Sequence, residues 1–244
     1  MQALRKLTWI ELKLFVREPF SLIFTIALPV VVLVVLIGSF KPADVAVPGH
    51  RPSSYFLASY IGVVIGSIGL VALPVHLAGY RERGVLRRFR ASSISLWAVL
   101  GSQLLASLAM AVAGAVVLTV VATVLYGAAS PGEIWSVLGA FMLATGAFLA
   151  VGFLVGSVSG SARSAQAVGM LLFFPMWLLS GAAPPPSLMC ASMRDVSEVL
   201  PLTFAVHAIQ QPWLGAGTNP LDVLILGGLF LAAAGLSALS LRNA

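Results

Sequence analysis

Residues 20–40 read FSLIFTIALPVVVLVVLIGSF, and none of these positions carries a charged side chain. An α-helix rises about 1.5 Å per residue, so about 20 apolar residues cross the hydrocarbon core of a bilayer, which is about 30 Å thick. Pro29 is compatible with such a helix, because neighbouring helices in a bundle can satisfy the carbonyl group that a proline leaves free. The run therefore predicts a membrane-spanning helix.

The rest of the chain has the same apolar character. Its 244 residues are 59% hydrophobic and 9% charged, whereas soluble domains are roughly 45–50% apolar and about 25% charged. Five more apolar runs of spanning length follow the first, at residues 55–79, 97–126, 134–159, 166–183 and 221–241. We therefore predict an all-α integral membrane protein with six transmembrane helices.

Glycines recur at four-residue spacing in two of these runs. Gly62 and Gly66 lie in the second run, and Gly152, Gly156 and Gly160 lie in the fourth. Small residues at this spacing let helix backbones approach closely, so we interpret both series as packing seams within the bundle.

The distribution of lysine and arginine predicts the topology, since short loops rich in these residues stay in the cytoplasm. If the N-terminus lies inside, eleven of the fourteen Lys and Arg residues fall in inside segments, and only Lys41, Arg51 and Arg194 lie outside. Both termini are thus predicted to be cytoplasmic. This topology alone explains a pI of about 10.1, so we infer no nucleic-acid binding. A cleaved signal peptide is the alternative at the N-terminus, but the first apolar run is longer than the roughly 7–15 residues typical of one.

The sequence lacks the motifs of the common catalytic sites. A phosphate-binding loop needs a glycine before its lysine, and none of Lys6, Lys13 and Lys41 follows a glycine. No GxSxG or HExxH pattern occurs, and the single cysteine cannot form an internal disulfide. The middles of the six runs hold no Asp, Glu, Lys or Arg, which an ion-coupled carrier normally keeps there. We predict a protein that is not an enzyme, binds no cofactor or metal itself, and takes its energy from another chain.

Residues 80–90, YRERGVLRRFR, place five arginines between the second and third apolar runs. Wound at about 100° per residue, they put Glu82 on the same side as Val85, Leu86 and Phe89, with the arginines on the other side. Such a basic amphipathic helix either lies on the anionic inner leaflet or docks a soluble partner. Glu82 favours docking, because an acid on the apolar side gains nothing from anionic lipid yet can pair with a basic residue of a partner.

Four stretches of the chain carry a family resemblance. They are FVREPFSLIFTIALP (15–29), YRERGVLRRFRASSIS (80–95), FFPMWLLSGAAPPPSLM (173–189) and VSEVLPLTFAVHAIQ (196–210). In that order they resemble the start of the first span, the first cytoplasmic coupling segment, the fifth span with its following turn, and the segment before the last span of type-2 ATP-binding-cassette (ABC) exporter permeases. The resemblance extends over nearly the whole chain and is nearest to the small drug-efflux-like branch.

The resemblance implies a single permease domain over residues 1–244, with both termini cytoplasmic. Its expected parts are an interfacial elbow helix at 1–19, a cytoplasmic coupling helix at 80–91 and re-entrant half-helices at 184–220, before the last span. The implied functional residues are Arg17 and Pro19 in the elbow, Arg81, Glu82, Arg83, Gly84, Leu86 and Arg87 at the ATPase-coupling interface, and His207, Gln210 and Gln211 on the transport path. A plain membrane-surface anchor is the alternative for the elbow, and capping or packing is the alternative for the three path residues.

The resemblance also implies partners and a cargo. Two cytoplasmic ABC ATPase subunits, which hold ATP and Mg²⁺, are expected to drive two permease copies, either a homodimer or a heterodimer with a homologue. Anionic membrane lipids are expected at the basic surface. The predicted function is export of an amphipathic or hydrophobic compound, such as a drug, an antibiotic or a lipid-like molecule, across a bacterial plasma membrane. A polysaccharide or lipid-linked glycan is the alternative cargo, and a non-transporting scaffold or an ion-coupled secondary transporter is the alternative class of protein.

Overall fold

The structure is a computed structural model that describes residues 2–17, 23–40, 51–84 and 96–242. Within these ranges all regular structure is helical, which confirms the all-α fold class. The helices are α1 Gln2–Arg17, α2 Leu28–Ser39, α3 Pro52–Glu82, α4 Leu96–Tyr126, α5 Ile134–Val158, α6 Ala162–Leu179, α7 Ala191–Ser197, α8 Pro201–Trp213 and α9 Pro220–Arg242. A π-helical turn at Ile23–Ala27 leads into α2, and a second at Ile68–Ala72 lies within α3.

Five of these helices, α3 to α6 and α9, are long and apolar enough to cross a membrane. The first predicted span, residues 20–40, is described from Ile23 onward, and its apolar helix Thr25–Ser39 is shorter than the other five. The predicted bounds of α4, α5 and α9 agree with the structure to within about one residue. The sequence placed the fifth span wrongly, because α6 begins at Ala162 instead of residue 166 and ends at Leu179 instead of residue 183.

Helix α3 lies at the centre of the bundle. In its most apolar stretch 94% of the residues are buried, compared with 28% in α4 and 22% in α9. Its neighbours are α2, α4, α5, α6 and α8. With 31 residues α3 is about 46 Å long, which exceeds the thickness of a hydrocarbon core. The central helix therefore connects the two ends of the bundle as one continuous element.

Glycines allow the neighbours of α3 to approach it closely. A Cβ atom at Gly152 of α5 would overlap the carbonyl oxygen of Gly69 in α3. A Cβ atom at Gly62 of α3 would lie 3.0 Å from Cγ2 of Val206 in α8. The same geometry recurs at Gly66, so the glycine series of the second apolar run is confirmed as a packing seam.

The glycine series of the fourth apolar run is confirmed only in part. A Cβ atom at Gly156 would lie 3.0 Å from the Cβ atom of Leu77 in α3, so this position also contacts the central helix closely. Gly160 has no atom within 4 Å of the corresponding position. The seam therefore runs through Gly152 and Gly156 and does not include Gly160.

The helix ends gather at two opposite ends of the bundle. Helix α1, the last turn of α3 and the first turn of α6 meet at one end, which we call the basic end. The opposite end joins the start of α3 to the loop at 127–133 and to the end of α8. There the backbone N–H of Ala129 donates to Ser54 Oγ (2.9 Å), and Trp213 Nε1 donates to the carbonyl oxygen of Ala129 (3.2 Å).

Candidate functional site at the basic end

Exposed cations distinguish the basic end from the rest of the described surface. The exposed basic residues there are Arg5, Lys6, Lys13, Arg17, Arg81, Arg83 and Arg163. At the opposite end the described basic residues are Arg51 and Arg194. The residues that the sequence assigned to the inside thus share one end of the fold, as far as they are described.

Helix α1 matches the residues of the predicted elbow helix. It packs against the first half of α4, where Leu4 lies near Gly101, and Leu12 packs against the hydrophobic core. Its exposed side combines the basic residues with apolar ones, of which Trp9 (69% exposed) is the largest. A helix with a mixed basic and aromatic outer face is suited to the interface between headgroups and hydrocarbon. Arg17 is exposed in the last turn of α1, and Pro19 lies outside the described residues.

A buried carboxylate connects α1 to the central helix. Glu11 is only 8% exposed, and its Oε1 accepts a hydrogen bond of 2.6 Å from the hydroxyl of Tyr80, in the last turns of α3. A hydrogen bond to a carboxylate is stronger than one between neutral groups. This bond therefore fixes α1 against the end of α3.

A second carboxylate connects the central helix to α6. Oε2 of Glu82 accepts a hydrogen bond of 2.9 Å from the backbone N–H of Ala162, the first residue of α6. Ser161 and Ser164 form a reciprocal capping box at the same helix start. An acid is favourable at a helix N-terminus, because the free N–H groups and the helix dipole both attract negative charge. Glu82, which we assigned to a basic partner residue, thus already has a partner within its own chain.

The end of α3 is set by Gly84. The N–H of Arg83 still donates to the carbonyl of Gly79 (3.1 Å), after which Gly84 takes φ +66°. Glycine is favoured there because this left-handed conformation strains residues that carry a Cβ atom. Residues 80–82 of the predicted coupling helix therefore continue α3 instead of starting a new helix. Residues 85–91, with Leu86 and Arg87, lie outside the described residues.

The segment predicted to be re-entrant, residues 184–220, contains a 3-10 turn at Pro186–Leu188 and two α-helices that are too short to span. Helix α7 has 7 residues and α8 has 13. Helix α8 packs against α3, α5 and α9, and most of its residues are buried. Proline at the first position of α8 and glycines with positive φ at 215 and 217 bound this helix. The helix itself is buried, whereas Val199 before it and Gly215 and Ala216 after it are exposed.

The three candidate path residues occupy different environments on α8. Gln210 is buried, and its Nε2 donates a 2.7 Å hydrogen bond to Ser59 Oγ of α3. His207 and Gln211 are half-buried. Burial lowers the pKa of His207 below its ordinary value of 6.5, and Glu198 opposes that shift. The structure thus separates Gln210, which joins two helices, from His207 and Gln211, which keep part of their surface exposed.

We expect Ser59→Ala to lower the free energy of unfolding by about 1 kcal/mol, because it removes one of the hydrogen bonds of the buried amide of Gln210, which also bonds Tyr55. Ser39→Ala is the matched control, since that hydroxyl is exposed and bonds within its own helix. Unfolding of the purified chain in detergent, followed by circular dichroism, measures both. Equal stability of the two variants would contradict a structural role for the Gln210–Ser59 pair.

Sequence reasoning missed both links at the basic end. The capping box leaves a local signal in the sequence. Two serines, Ser161 and Ser164, stand three residues apart just before an apolar run. The partners of Glu11 and Glu82 leave none, because each is far away in the sequence. Among the described residues no group of three His, Cys, Asp or Glu side chains is placed to hold a metal ion.

The sequence matches the model of a known protein family over most of its length. The family model described as ABC-2 type transporter matches residues 2–212. The match covers α1 to α7 and nearly all of α8, and therefore both links of the basic end. No curated protein matches the chain.

Proposed function

The chain belongs to the ABC-2 type transporter family, and on that premise we propose that it is the permease subunit of an ATP-driven exporter. Its family identifies it as the membrane component of an ABC transporter, distinct from the subunit that binds nucleotide. In this proposal separate cytoplasmic ABC ATPase subunits hold ATP and Mg²⁺. They act on two permease copies, which form a homodimer or a heterodimer with a homologue.

The observation that carries the proposal is the pair of hydrogen bonds at the end of α3. Tyr80 is bonded to Glu11 of α1, and Glu82 is bonded to the first N–H of α6. A partner that displaces residues 82–84 would therefore move three helices together. Because α3 is a continuous helix that also packs against α8, the displacement would reach the opposite end of the bundle.

We place the basic end in the cytoplasm of a bacterium and the bundle in its plasma membrane, with both termini inside. The exposed cations of α1, α3 and α6 support this orientation, since loops rich in Lys and Arg stay inside. The same cations, together with the exposed Trp9, suit a leaflet of anionic lipids.

Cysteine labelling tests this orientation, because the chain has a single cysteine. Cys190 is exposed and lies between α6 and α7, at the end opposite to the cations. We expect a membrane-impermeant maleimide to label the wild-type chain in intact spheroplasts. We expect a Cys190→Ser chain with Arg83→Cys to be labelled only after permeabilisation. The reverse pattern would show that the basic end faces outward and would overturn the proposal.

For cargo we propose an amphipathic or hydrophobic compound, such as a drug, an antibiotic or a lipid-like molecule. The segment between the first two apolar runs, residues 41–54, is short, so this part of the chain offers no external domain to receive a polymer. Aromatic residues make up 9% of the chain, which gives few rings for stacking on sugars. Both features favour a hydrophobic cargo over a polysaccharide or a lipid-linked glycan.

Co-purification tests the proposed mode of action. The tagged chain is extracted from host membranes in mild detergent, and Mg²⁺-dependent ATP hydrolysis in the eluate is measured before and after addition of vanadate. We expect vanadate-sensitive hydrolysis together with a separate polypeptide that contains a phosphate-binding loop. An eluate with no such polypeptide and no hydrolysis would contradict the proposal.

We expect Gly84→Ala to reduce the amount of transport per ATP hydrolysed severalfold. The position has open space for a methyl group, so the effect comes from backbone strain at φ +66°, which is about 1–2 kcal/mol for a residue with a Cβ atom. Gly84→Asn is the matched control, because asparagine tolerates this conformation better. If alanine and asparagine both behave like glycine, the turn after α3 has no part in coupling.

A further inference from the structure

A groove runs along α1 where this helix meets α4, at the basic end. Its volume is about 810 Å³, which lies within the range of small-molecule sites. Two basic side chains of α1, Arg5 and Lys6, line it together with Trp9, and Leu105 lines it from α4. The groove therefore combines positive charge with an apolar residue of a helix that is long enough to cross the membrane.

The two cations of this groove are not paired with an acid of the protein. Arg5 and Lys6 are exposed, and in the described part of the chain neither forms a hydrogen bond or an ion pair. The acid nearest to them in the sequence, Glu11, is buried and already bonded to Tyr80. The groove is therefore open to an anionic group from outside the chain, which two adjacent cations would hold by charge-assisted hydrogen bonds.

An apolar strip on the outer face of α4 begins at this groove. Leu105, Val112 and Val116 are 42%, 42% and 55% exposed, and at 100° per residue they lie within about 40° of one another on the helix. Residues 105 to 116 extend over about 16 Å, which is about half the thickness of a hydrocarbon core. The strip therefore has the length of an acyl chain in one leaflet. A soluble anion or an acidic protein would leave this strip uncovered, whereas a lipid would cover it.

We propose that this groove binds one anionic phospholipid of the phosphatidylglycerol type. The phosphate bonds Arg5 and Lys6, and one acyl chain follows the strip on α4. The glycerol backbone lies beside Trp9, since aromatic side chains favour the level between headgroups and hydrocarbon. The bound lipid holds α1 and, through the bond between Glu11 and Tyr80, the end of α3. The site does not depend on the proposed export function.

Native mass spectrometry of the full chain tests the site in the absence of nucleotide and partner. The delipidated protein in detergent is titrated with phosphatidylglycerol and, separately, with phosphatidylcholine that carries the same acyl chains. We expect the first phosphatidylglycerol to bind about tenfold more tightly than the first phosphatidylcholine, and we expect added salt to reduce this preference. Glycerophosphoglycerol, the headgroup without acyl chains, is expected not to displace the lipid at the same concentration. Equal affinity for the two lipids, or displacement by the headgroup alone, would overturn the proposal.

Two double variants, each of which removes two positive charges from α1, separate the groove from a diffuse attraction of acidic lipid. Arg5→Gln with Lys6→Gln is expected to lower the affinity for phosphatidylglycerol about tenfold, to the level of phosphatidylcholine. Lys13→Gln with Arg17→Gln is the matched control, because these exposed cations are not among the described residues that line the groove. We expect the control to lower the affinity by no more than about twofold, and circular dichroism checks that both variants fold. Equal losses in the two variants would show that α1 attracts acidic lipid only through its overall charge, against the proposed site.

A photoactivatable phosphatidylglycerol tests the path of the acyl chain. The lipid carries a diazirine in the middle of one chain, and the protein is labelled in nanodiscs of phosphatidylcholine. We expect mass spectrometry to find the label within residues 105–116, and we expect its yield there to fall at least about fivefold in the Arg5→Gln, Lys6→Gln variant. Label confined to α9, or an unchanged yield in the variant, would refute the proposed path. Neither experiment involves the ATPase partner, so both test the lipid site even if the proposed export function is wrong.

Discussion

Glu82→Arg is expected to reduce ATP-driven transport by at least about tenfold while the chain still inserts and folds. The substitution removes the hydrogen bond to the N–H of Ala162 and places a positive charge at the N-terminus of α6, beside Arg163. A cation there is repelled by the helix dipole and by the neighbouring cations. The hydrogen-bonded link between the end of α3 and the start of α6 would open, and force applied at residue 82 would reach α6 only through the packing of the two helices.

Two variants control for effects that are unrelated to coupling. Glu82→Gln keeps an amide oxygen that can accept from Ala162, so we expect a smaller loss of about two- to threefold. Glu133→Arg reverses the charge at the N-cap of α5, at the opposite end, where the carboxylate bonds Ser136 of the same helix. Transport is measured in inverted host vesicles with a dye whose ATP-dependent uptake requires this chain. Equal losses in Glu82→Arg and Glu133→Arg would contradict a specific role for Glu82.

Gly152→Leu is expected to prevent the bundle from assembling. Even a Cβ atom at this position would overlap the Gly69 carbonyl oxygen, so α5 and α3 must separate to accept a side chain. Overpacking of a core by one or two methylene groups already destabilises by about 1–3 kcal/mol, and leucine adds more volume than that. Loss of this contact would also displace the central helix. We expect aggregated protein, or a large decrease in the thermal unfolding midpoint in detergent.

Gly139→Leu is the matched control for this prediction. Gly139 belongs to the same helix and has no atom within 4 Å of the position that a Cβ atom would take. It loses the same backbone flexibility and gains the same side chain, so its effect on stability is expected to be small. A Gly152→Leu protein as stable as Gly139→Leu would show that α3 and α5 do not pack through these glycines.

The spanning helices were largely predictable, because an apolar run of sufficient length leaves few alternatives to a membrane helix. The shift of α6 shows where that argument fails. Because Arg163 and Ser164 are polar, the count of apolar residues predicted that the helix starts at residue 166, which is four residues too late. The capping box between Ser161 and Ser164 instead begins the helix before the apolar run. Apolar content locates a span, whereas capping chemistry sets its ends.

The end of α3 shows a second limit. An amphipathic arc over residues 80–90 looks the same whether it belongs to a separate helix or continues the one before it. In the structure residues 80–82 extend α3, and the positive φ of Gly84 ends it. The pattern indicated a helix correctly over these residues but could not show that it is continuous with the preceding span.

The links at the basic end could not be predicted from one sequence. Glu11 bonds a residue 69 positions away, and Glu82 bonds one 80 positions away. No local periodicity connects such residues, since their proximity follows from how α1, α3 and α6 pack. The positions of Lys and Arg in the sequence predicted that the basic residues share one end of the fold. The partner of each carboxylate depends instead on tertiary structure.

Reconstitution of the purified chain into liposomes, alone and together with its ATPase partner, tests whether transport depends on a separate motor. The measurement is uptake of the same dye in the presence of ATP and Mg²⁺, with and without an imposed ion gradient. We predict no accumulation by the chain alone under any of these conditions, and ATP-dependent accumulation once the partner is added. Accumulation by the chain alone would contradict the claim that force enters from a separate motor at the basic end.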